Sequence, residues 1–305
     1  RRPIGRVALE LRERGVKLVF GSEVRDQCLS GWVVQGDEWV PAESVPVHAV
    51  YDRYPDQSRS ETYTHILAEL DGIPLFNGRG FTELCRDKLV LQRLLVAQGV
   101  SMPAVEHVRA RFETRLDEWG AGFIKPRFGS FGRGVVYVTG GQPLTPTLLN
   151  SESSFGSETL LQRAVPPPEN WAGVCLRVLV QRAPNGGWVF NPGVARVSRS
   201  DRVVNAARGA TVVAADDLLD SRGQAQMVCI LNGVAGALER LPEAEFILEM
   251  GVDLVLDKSG SPVLIEINGR PRGRLAVLAA TQPKRFAEAH RRAVMRPFQR
   301  ITSVL

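Results

Sequence analysis

Two carboxylates and an amide sit close together in the run GVDLVLDKSGSPVLIEIN, residues 251–268. Asp253 lies in one apolar run, and Glu266 and Asn268 lie in the next. Being two residues apart on a strand, Glu266 and Asn268 share one face. Lys258-Ser259-Gly260 reads as a hairpin turn that brings Asp253 beside Glu266. Such hard oxygen donors suit Mg²⁺, the ion that bridges nucleotide phosphates. The same residues would also make a polar strand face without a metal. The apolar neighbours of Glu266 favour burial, where a carboxylate without a partner is costly.

A second group occupies GFIKPRFGSFGRGVVYV, residues 122–138. Lys125 ends an apolar run, and Gly129, Ser130, Gly132 and Gly134 follow before another. Glycines let backbone N–H groups approach phosphate oxygens, and a lysine ammonium is a compact charge beside them. The loop joins strand to strand, which matches neither a Walker A loop nor a dinucleotide fingerprint. The alternative is a flexible hairpin carrying a solvated lysine. Further on, the strand ETLLQRAV stops before PPPE. The backbone groups at its end could meet an adenine edge, and Glu169 ribose hydroxyls. In ARVSRSDRVVNAARGA, Arg196, Asn205 and Arg208 place positive charge and an amide within one turnaround, with Arg177 on the facing strand. That combination suits a transferring phosphoryl group or an oxyanion. Exposed arginines on a hairpin are the alternative.

The elements that must position these groups differ along the chain. Residues 1–79 read as helix (RVALELRERG), strand (VKLVF), hairpin about Gly36-Asp37, strand (VHAVYDRY), helix and strand (IPLFN). The second helix, SETYTHILAELDG, has Ser60 as N-cap and Gly72 past its end. This alternation predicts a mostly parallel sheet with crossover helices. The chain opens on Arg1 and a helix, so a first strand is expected ahead of it, or the unit is a reduced one. TELCRDKLVLQRLLVAQG predicts one amphipathic helix ending at Gly99. A helix over 111–119, a long hairpin with its tip at 184–187, a helix over 219–241 and a C-terminal helix from about 283 follow, giving an α+β half. Loops are expected at 142–157 and 166–170.

The 305 residues carry 38 Lys and Arg against 33 Asp and Glu, a net charge of +5 that suits anionic ligands such as nucleotides. Without a basic block, nucleic acid is not the expected partner. No apolar run is long enough for a transmembrane helix, and no signal peptide is visible, so no membrane partner is expected. Cys28, Cys85, Cys175 and Cys229 form no C-x-x-C pair, which predicts reduced thiols in the cytoplasm. The four histidines have no metal-ligand spacing, so no zinc site is expected.

In this order, Asp87-Lys88, FIKP with its glycines, LQRAV, LRVLV, VDLVLD and IEIN resemble the ATP-grasp superfamily over roughly residues 80–270. VYDRYP, LFNGRGF, GGWVFNPGVARV and INGRP resemble its spore-coat-associated YheC/YheD group. The resemblance implies an ATP-grasp fold, two α+β subdomains gripping ATP, preceded by a small α/β pre-ATP-grasp domain. The boundaries would be 1–79 and 80–305, with a central lid at about 110–165 and a C-terminal subdomain at about 166–305. It implies that Lys88 and Lys125 touch phosphates beside Ser130, Gly132 and Gly134. Gln162, Ala164 and Val165 would contact adenine, and Glu169 ribose. Asp253, Glu266 and Asn268 would hold Mg²⁺, and Arg196, with Asn205 and Arg208, would serve the transferring phosphoryl group.

The implied activity is an ATP- and Mg²⁺-dependent carboxylate–amine ligase that forms an acyl phosphate and releases ADP and phosphate. Its partners would be a small carboxylic acid and an amine, with Tyr51, Asp52, Arg53, Arg177 and Arg270 as substrate residues. A homodimer is common among such proteins. The alternative is a coat-associated, ATP-binding structural or assembly protein with little or no turnover. Two departures stand out. Cys175-Leu176-Arg177 replaces an Asp that many relatives carry before the arginine, and Gly269-Arg270-Pro271-Arg272 is basic, which favours an acidic co-substrate.

Overall fold

The computed structural model describes residues 2–36, 38–54, 61–108, 112–129, 132–141, 158–204, 209–271 and 274–305. After α1 (Arg2–Arg12), strands β1 (Phe20–Arg25), β2 (Cys28–Gln35) and β3 (Glu38–Pro46) form an antiparallel meander. Asp26 and Gln27, both at positive φ (48° and 56°), make its first tight turn. Residues 16–19 carry no strand, so the expected VKLVF strand starts only at Phe20. Next come β4 (Val50–Tyr51), α2 (Glu61–Glu69) and β5 (Leu75–Phe76), and β4 and β5 pair in parallel. The expected mostly parallel sheet is therefore two strands wide. The tight turns of 20–46 can join only antiparallel neighbours. Gly72, at φ 79°, ends the turn after α2, while Ser60 and Asp37 lie outside the described residues.

The single helix expected from TELCRDKLVLQRLLVAQG is two helices, α3 (Arg79–Arg86) and α4 (Lys88–Ala97). Asp87, at φ −82° and ψ 89°, breaks them apart. Its carboxylate accepts from the backbone N–H groups of Leu89 and Val90, so it caps α4 instead of continuing α3.

A four-stranded antiparallel sheet follows, with β6 (Val105–His107), β7 (Ala121–Pro126), β8 (Val136–Thr139) and β9 (Thr159–Arg163) in the order β6-β9-β7-β8. α5 (Phe112–Trp119) covers it, burying Leu116 against Ile124, Val138 and Leu161. The larger sheet comprises β10 (Gly173–Arg182), β11 (Trp188–Phe190), β12 (Val194–Ser198), β13 (Thr211–Ala214), β14 (Glu249–Leu256) and β15 (Pro262–Asn268). Its order is β13-β12-β10-β14-β15, with β11 beside the far end of β10. Alternate residues of the central strands, Leu176, Val178, Val180, Val252 and Leu254, are buried on one face. They pack on α6 (Ser221–Leu238), through Leu231, Val234 and Leu238, and on Leu91 and Leu95 of α4. Period-two geometry sends the intervening residues, among them Cys175, Arg177 and Asp253, to the opposite face. α7 (Leu275–Thr281) and α8 (Pro283–Thr302) close the chain. Residues 166–168 are loop as expected, whereas 142–157 lie outside the described residues. Among the described residues, no helix is long and apolar enough to cross a membrane.

Candidate functional site

Strand register aligns the charged residues of the larger sheet. Asp253 stands directly opposite Glu266 on one side and Arg177 on the other, and Arg196 stands opposite Cys175, two residues from Arg177. A bulge makes this alignment possible. Asp253 pairs with Glu266 while Leu254 pairs with Leu264, which leaves Ile265 as an extra residue. Without it, strict alternation would put Glu266 on the core face with the fully buried Leu264. With it, Ile265 and Glu266 both line the cleft.

Asp253 is 8% exposed and is gripped by Arg177, whose Nε and Nη2 donate to its two oxygens at 2.6 and 2.5 Å. Asn268 Nδ2 donates to the same carboxylate at 3.1 Å, and Arg196 Nη2 lies 4.0 Å away. Burial works against the Arg177 charge, but Asp253 outweighs it and raises its pKa. Arg196 Nη2 also donates to Cys175 Sγ at 2.9 Å. Burial, aided by Asp253, pushes the Cys175 thiol up to about 11, so it stays protonated.

The smaller sheet faces this array with Lys125, 5% exposed, whose Nζ donates to Gln162 Oε1 at 2.7 Å. Burial brings the Lys125 pKa down to about 8, against the attraction of Glu266 and with the help of Lys88. Burial lowers the Lys88 pKa as well, again opposed by Glu266. Glu266 therefore faces two ammonium groups, the buried Lys125 and the half-buried Lys88, while making no hydrogen bond or salt bridge among the described residues. Lys88 Nζ donates to the Gly129 carbonyl at 2.8 Å, and Asp87 takes a forked pair from Arg127 at 2.8 and 2.6 Å. These bonds tie the start of α4 to the glycine-rich loop. Gly132 and Gly134 have φ of 68° and 67°, where side chains with a Cβ are strained.

The two sheets enclose a cleft of about 1560 Å³. Of the residues expected to do chemistry, Lys88, Lys125, Gly132, Gln162, Ala164 and Val165 line it from one side. Arg177, Arg196, Asp253, Glu266 and Asn268 line it from the other, and Arg53 and Arg270 lie at its end. Gly134 is not in the lining, and Glu169 is exposed outside it. Ser130, Asn205 and Arg208 lie outside the described residues. Tyr51 and Asp52 stand behind the cleft wall. Asp52, 4% exposed, accepts from Tyr63 Oη at 2.5 Å and pairs with Arg270 at 2.5 Å. Arg53 donates to Glu249 at 2.8 Å, to the Pro271 carbonyl at 3.0 Å and to Tyr51 at 3.2 Å. Burial, with Glu249 beside it, holds the Tyr51 phenol well above its usual pKa.

Among the described residues, no three His, Cys, Asp or Glu side chains cluster as metal ligands. The oxygen donors at hand are Asp253, Glu266 and the Asn268 amide. They fit a divalent cation in one respect above all, since the Glu266 carboxylate has no hydrogen bond or salt bridge among the described residues. Asp253 would have to share its carboxylate with Arg177.

A family model described as YheC/D like ATP-grasp matches residues 73–296. The chain belongs to this ATP-grasp family. The endospore coat-associated protein YheC of Bacillus subtilis (strain 168) is 25% identical, over 79% of this chain and 74% of that protein. D-alanyl-alanine synthetase A from Vibrio cholerae matches 92% of this chain and 82% of its own, at 16% identity and a TM-score of 0.55. N5-carboxyaminoimidazole synthetase from Staphylococcus aureus, complexed with ADP, matches 69% of this chain at 18% identity and a TM-score of 0.51. This chain covers 52% of that synthetase, about half its length. At these identities the likeness shows the fold: the ATP-grasp fold, with its mixture of helices and several sheets.

This ATP-grasp chain also holds residues that the motifs did not single out. Arg127, which locks Asp87, follows the FIKP run directly, and its place was legible only from the fold. Asn77 donates to the carbonyls of Glu249 and Gly269 and accepts from the N–H groups of Leu248 and Glu249. It clamps β14 to the loop after β15, and the expected INGRP and LFNGRGF motifs meet there. Arg86, Arg133, Arg202 and Arg274 line the cleft without any local pattern to mark them.

Proposed function

We propose that this chain is an ATP- and Mg²⁺-dependent carboxylate–amine ligase that works through an acyl phosphate and releases ADP and phosphate. One observation carries the reading. Glu266, a carboxylate with no hydrogen bond or salt bridge among the described residues, faces the buried Lys125 and the half-buried Lys88 across a cleft, beside Asp253 and Asn268. That pattern of charge suits a triphosphate with its cation. The synthetase names of the two solved structures support the class of reaction.

In this reading residues 1–79 form the pre-ATP-grasp domain and 80–305 the grasp. Lys88 and Lys125 bind phosphate oxygens beside Gly129 and Gly132, and the strand end at Gln162 to Val165 meets the adenine. Asp253, Glu266 and Asn268 would hold Mg²⁺, which would withdraw charge from the phosphate oxygens. The substrate carboxylate attacks the γ-phosphorus, and the bond to the bridging oxygen breaks to release ADP. The amine nitrogen then attacks the acyl carbon, phosphate leaves with the C–O bond electrons, and the amine proton passes to solvent. Arg196, with the 205–208 stretch, neutralises the charge that develops on the phosphoryl group. No protein nucleophile is required; positioning and charge do the work. The four free cysteines fit a cytoplasmic setting.

The coat-associated name of the Bacillus subtilis relative favours a second reading, an ATP-binding structural or assembly protein without turnover. Release of ADP in the presence of pooled small acids and amines, lost in Glu266→Gln, supports the ligase. Nucleotide binding with no ADP under any pool supports the assembly protein.

A further inference from the structure

Among the described residues lining the cleft, twelve are Lys or Arg and only two are Asp or Glu. If the ligase reading holds, a triphosphate with its divalent cation uses Lys88, Lys125 and Arg196. Arg177 is consumed by Asp253. That leaves Arg53, Arg86, Arg270 and Arg274 as a basic part of the cleft wall. Pro271 crosses the sheet where Gly251 has no side chain; a Cβ there would meet Pro271 Cβ at 3.0 Å. This crossing carries Arg270 into the wall beside Arg53. These two arginines have carboxylate partners, Asp52 and Glu249. Two others do not. Arg86 ends α3, the helix that packs on the end of β15 beside Gly269, and Arg274 precedes α7. Each lines the cleft and is half-buried, and neither has a carboxylate partner among the described residues.

Both arginines line the cleft that also holds Lys88 and Lys125, and like charges gathered on one cleft wall disfavour one another. Arg86 already acts on Lys88 in that sense. A bound anion relieves this cost, and guanidinium forks match carboxylate and phosphate oxygens.

We propose that the acid taken by this chain is a small molecule with at least two anionic groups: the reacting carboxylate, and a second carboxylate or phosphate held by Arg86 and Arg274. The proposal deepens the ligase reading and rests on it. A neutral zwitterion such as an ordinary apolar amino acid would leave both arginines without a counter-ion.

The test uses the full chain saturated with a non-hydrolysable ATP analogue and Mg²⁺, at constant ionic strength. Calorimetric titration compares glutarate and 3-phosphoglycerate with propionate and alanine. At least one dianion should bind about tenfold more tightly than either control, and the better of the two identifies the second group as carboxylate or phosphate. Arg86→Gln and Arg274→Gln should each remove most of that preference. Arg274→Gln serves as the cleaner variant, because Arg86 neighbours Lys88. Equal binding of all four probes, no binding of either dianion, or a preference unchanged in both variants overturns the proposal. Failure of the ATP analogue itself to bind would instead overturn the nucleotide reading, which separates the two.

Discussion

Raising the pH from 7 to 9.5 should weaken nucleotide binding, because Lys125 must be charged to meet a phosphate. Its pKa in the free protein is held down to about 8 by burial, with Lys88 adding to the effect and Glu266 opposing it. A bound triphosphate brings negative charge to the ammonium and returns its pKa toward or above the ordinary lysine value of about 10.4. Binding above pH 8 must then take up a proton. The dissociation constant should rise about tenfold between pH 7 and 9 and about thirtyfold by 9.5. At pH 8.5 each ATP bound should carry about three quarters of a proton with it. The terminal phosphate titrates near pH 6 and adds nothing in this range. Calorimetry in two buffers of different ionisation enthalpy reads both quantities. Lys125→Arg keeps the charge at every pH and should remove most of the slope, leaving what Lys88 contributes. A flat dissociation constant in the native chain, or the same slope in the variant, would refute the reasoning. The unliganded protein should show the opposite trend. A lysine with a depressed folded pKa costs stability while protonated in both states. Stability should therefore rise by about 3 kcal/mol from pH 8 to about 10.5, as the folded state gives up its proton first.

Three substitutions probe the other supports of the site. Glu266→Gln should leave ATP binding within a few-fold and abolish ADP release, measured by coupled assay; full turnover would remove Glu266 from the site. Asp253→Asn strands the Arg177 charge in a largely buried position, and urea unfolding should show a loss of about 3 kcal/mol. An unchanged midpoint would mean that Arg177 finds other partners. Asn77→Ala removes the side-chain partner of four buried hydrogen bonds and leaves the backbone groups unsatisfied, and the same assay should show a loss of at least about 2 kcal/mol.

Local pattern was enough where chemistry and periodicity coincide. Glu266 and Asn268 were placed on one face by their spacing, and the turn at Lys258-Gly260 brought Asp253 to them. Lys125 and its glycines were visible because a lysine at the end of an apolar run has few structural uses. What escaped was set by non-local contact. The bulge at Ile265, which turns Glu266 from core to cleft, depends on the register of two strands and has no residue that marks it. The break at Asp87 was hidden inside a helical pattern, because the same aspartate can sit on a helix surface or cap a new one. In the N-terminal stretch, apolar alternation marked strands but could not show that tight turns at 26–27 make them antiparallel. The partners of Asp253, Asp52 and Glu249 are arginines far away in the chain, and only the fold shows which arginines of the cleft remain unpaired.

The central claim is that this cleft binds ATP with a divalent cation. Thermal unfolding of the purified chain, with ATP and Mg²⁺ together, with each alone and with neither, tests it most directly. Ligand at about a hundred times its dissociation constant adds about 2.7 kcal/mol to the folded state. For a chain of this size the midpoint should then rise by about 4 °C, and only when both are present. No rise at millimolar ATP with Mg²⁺ would contradict the account.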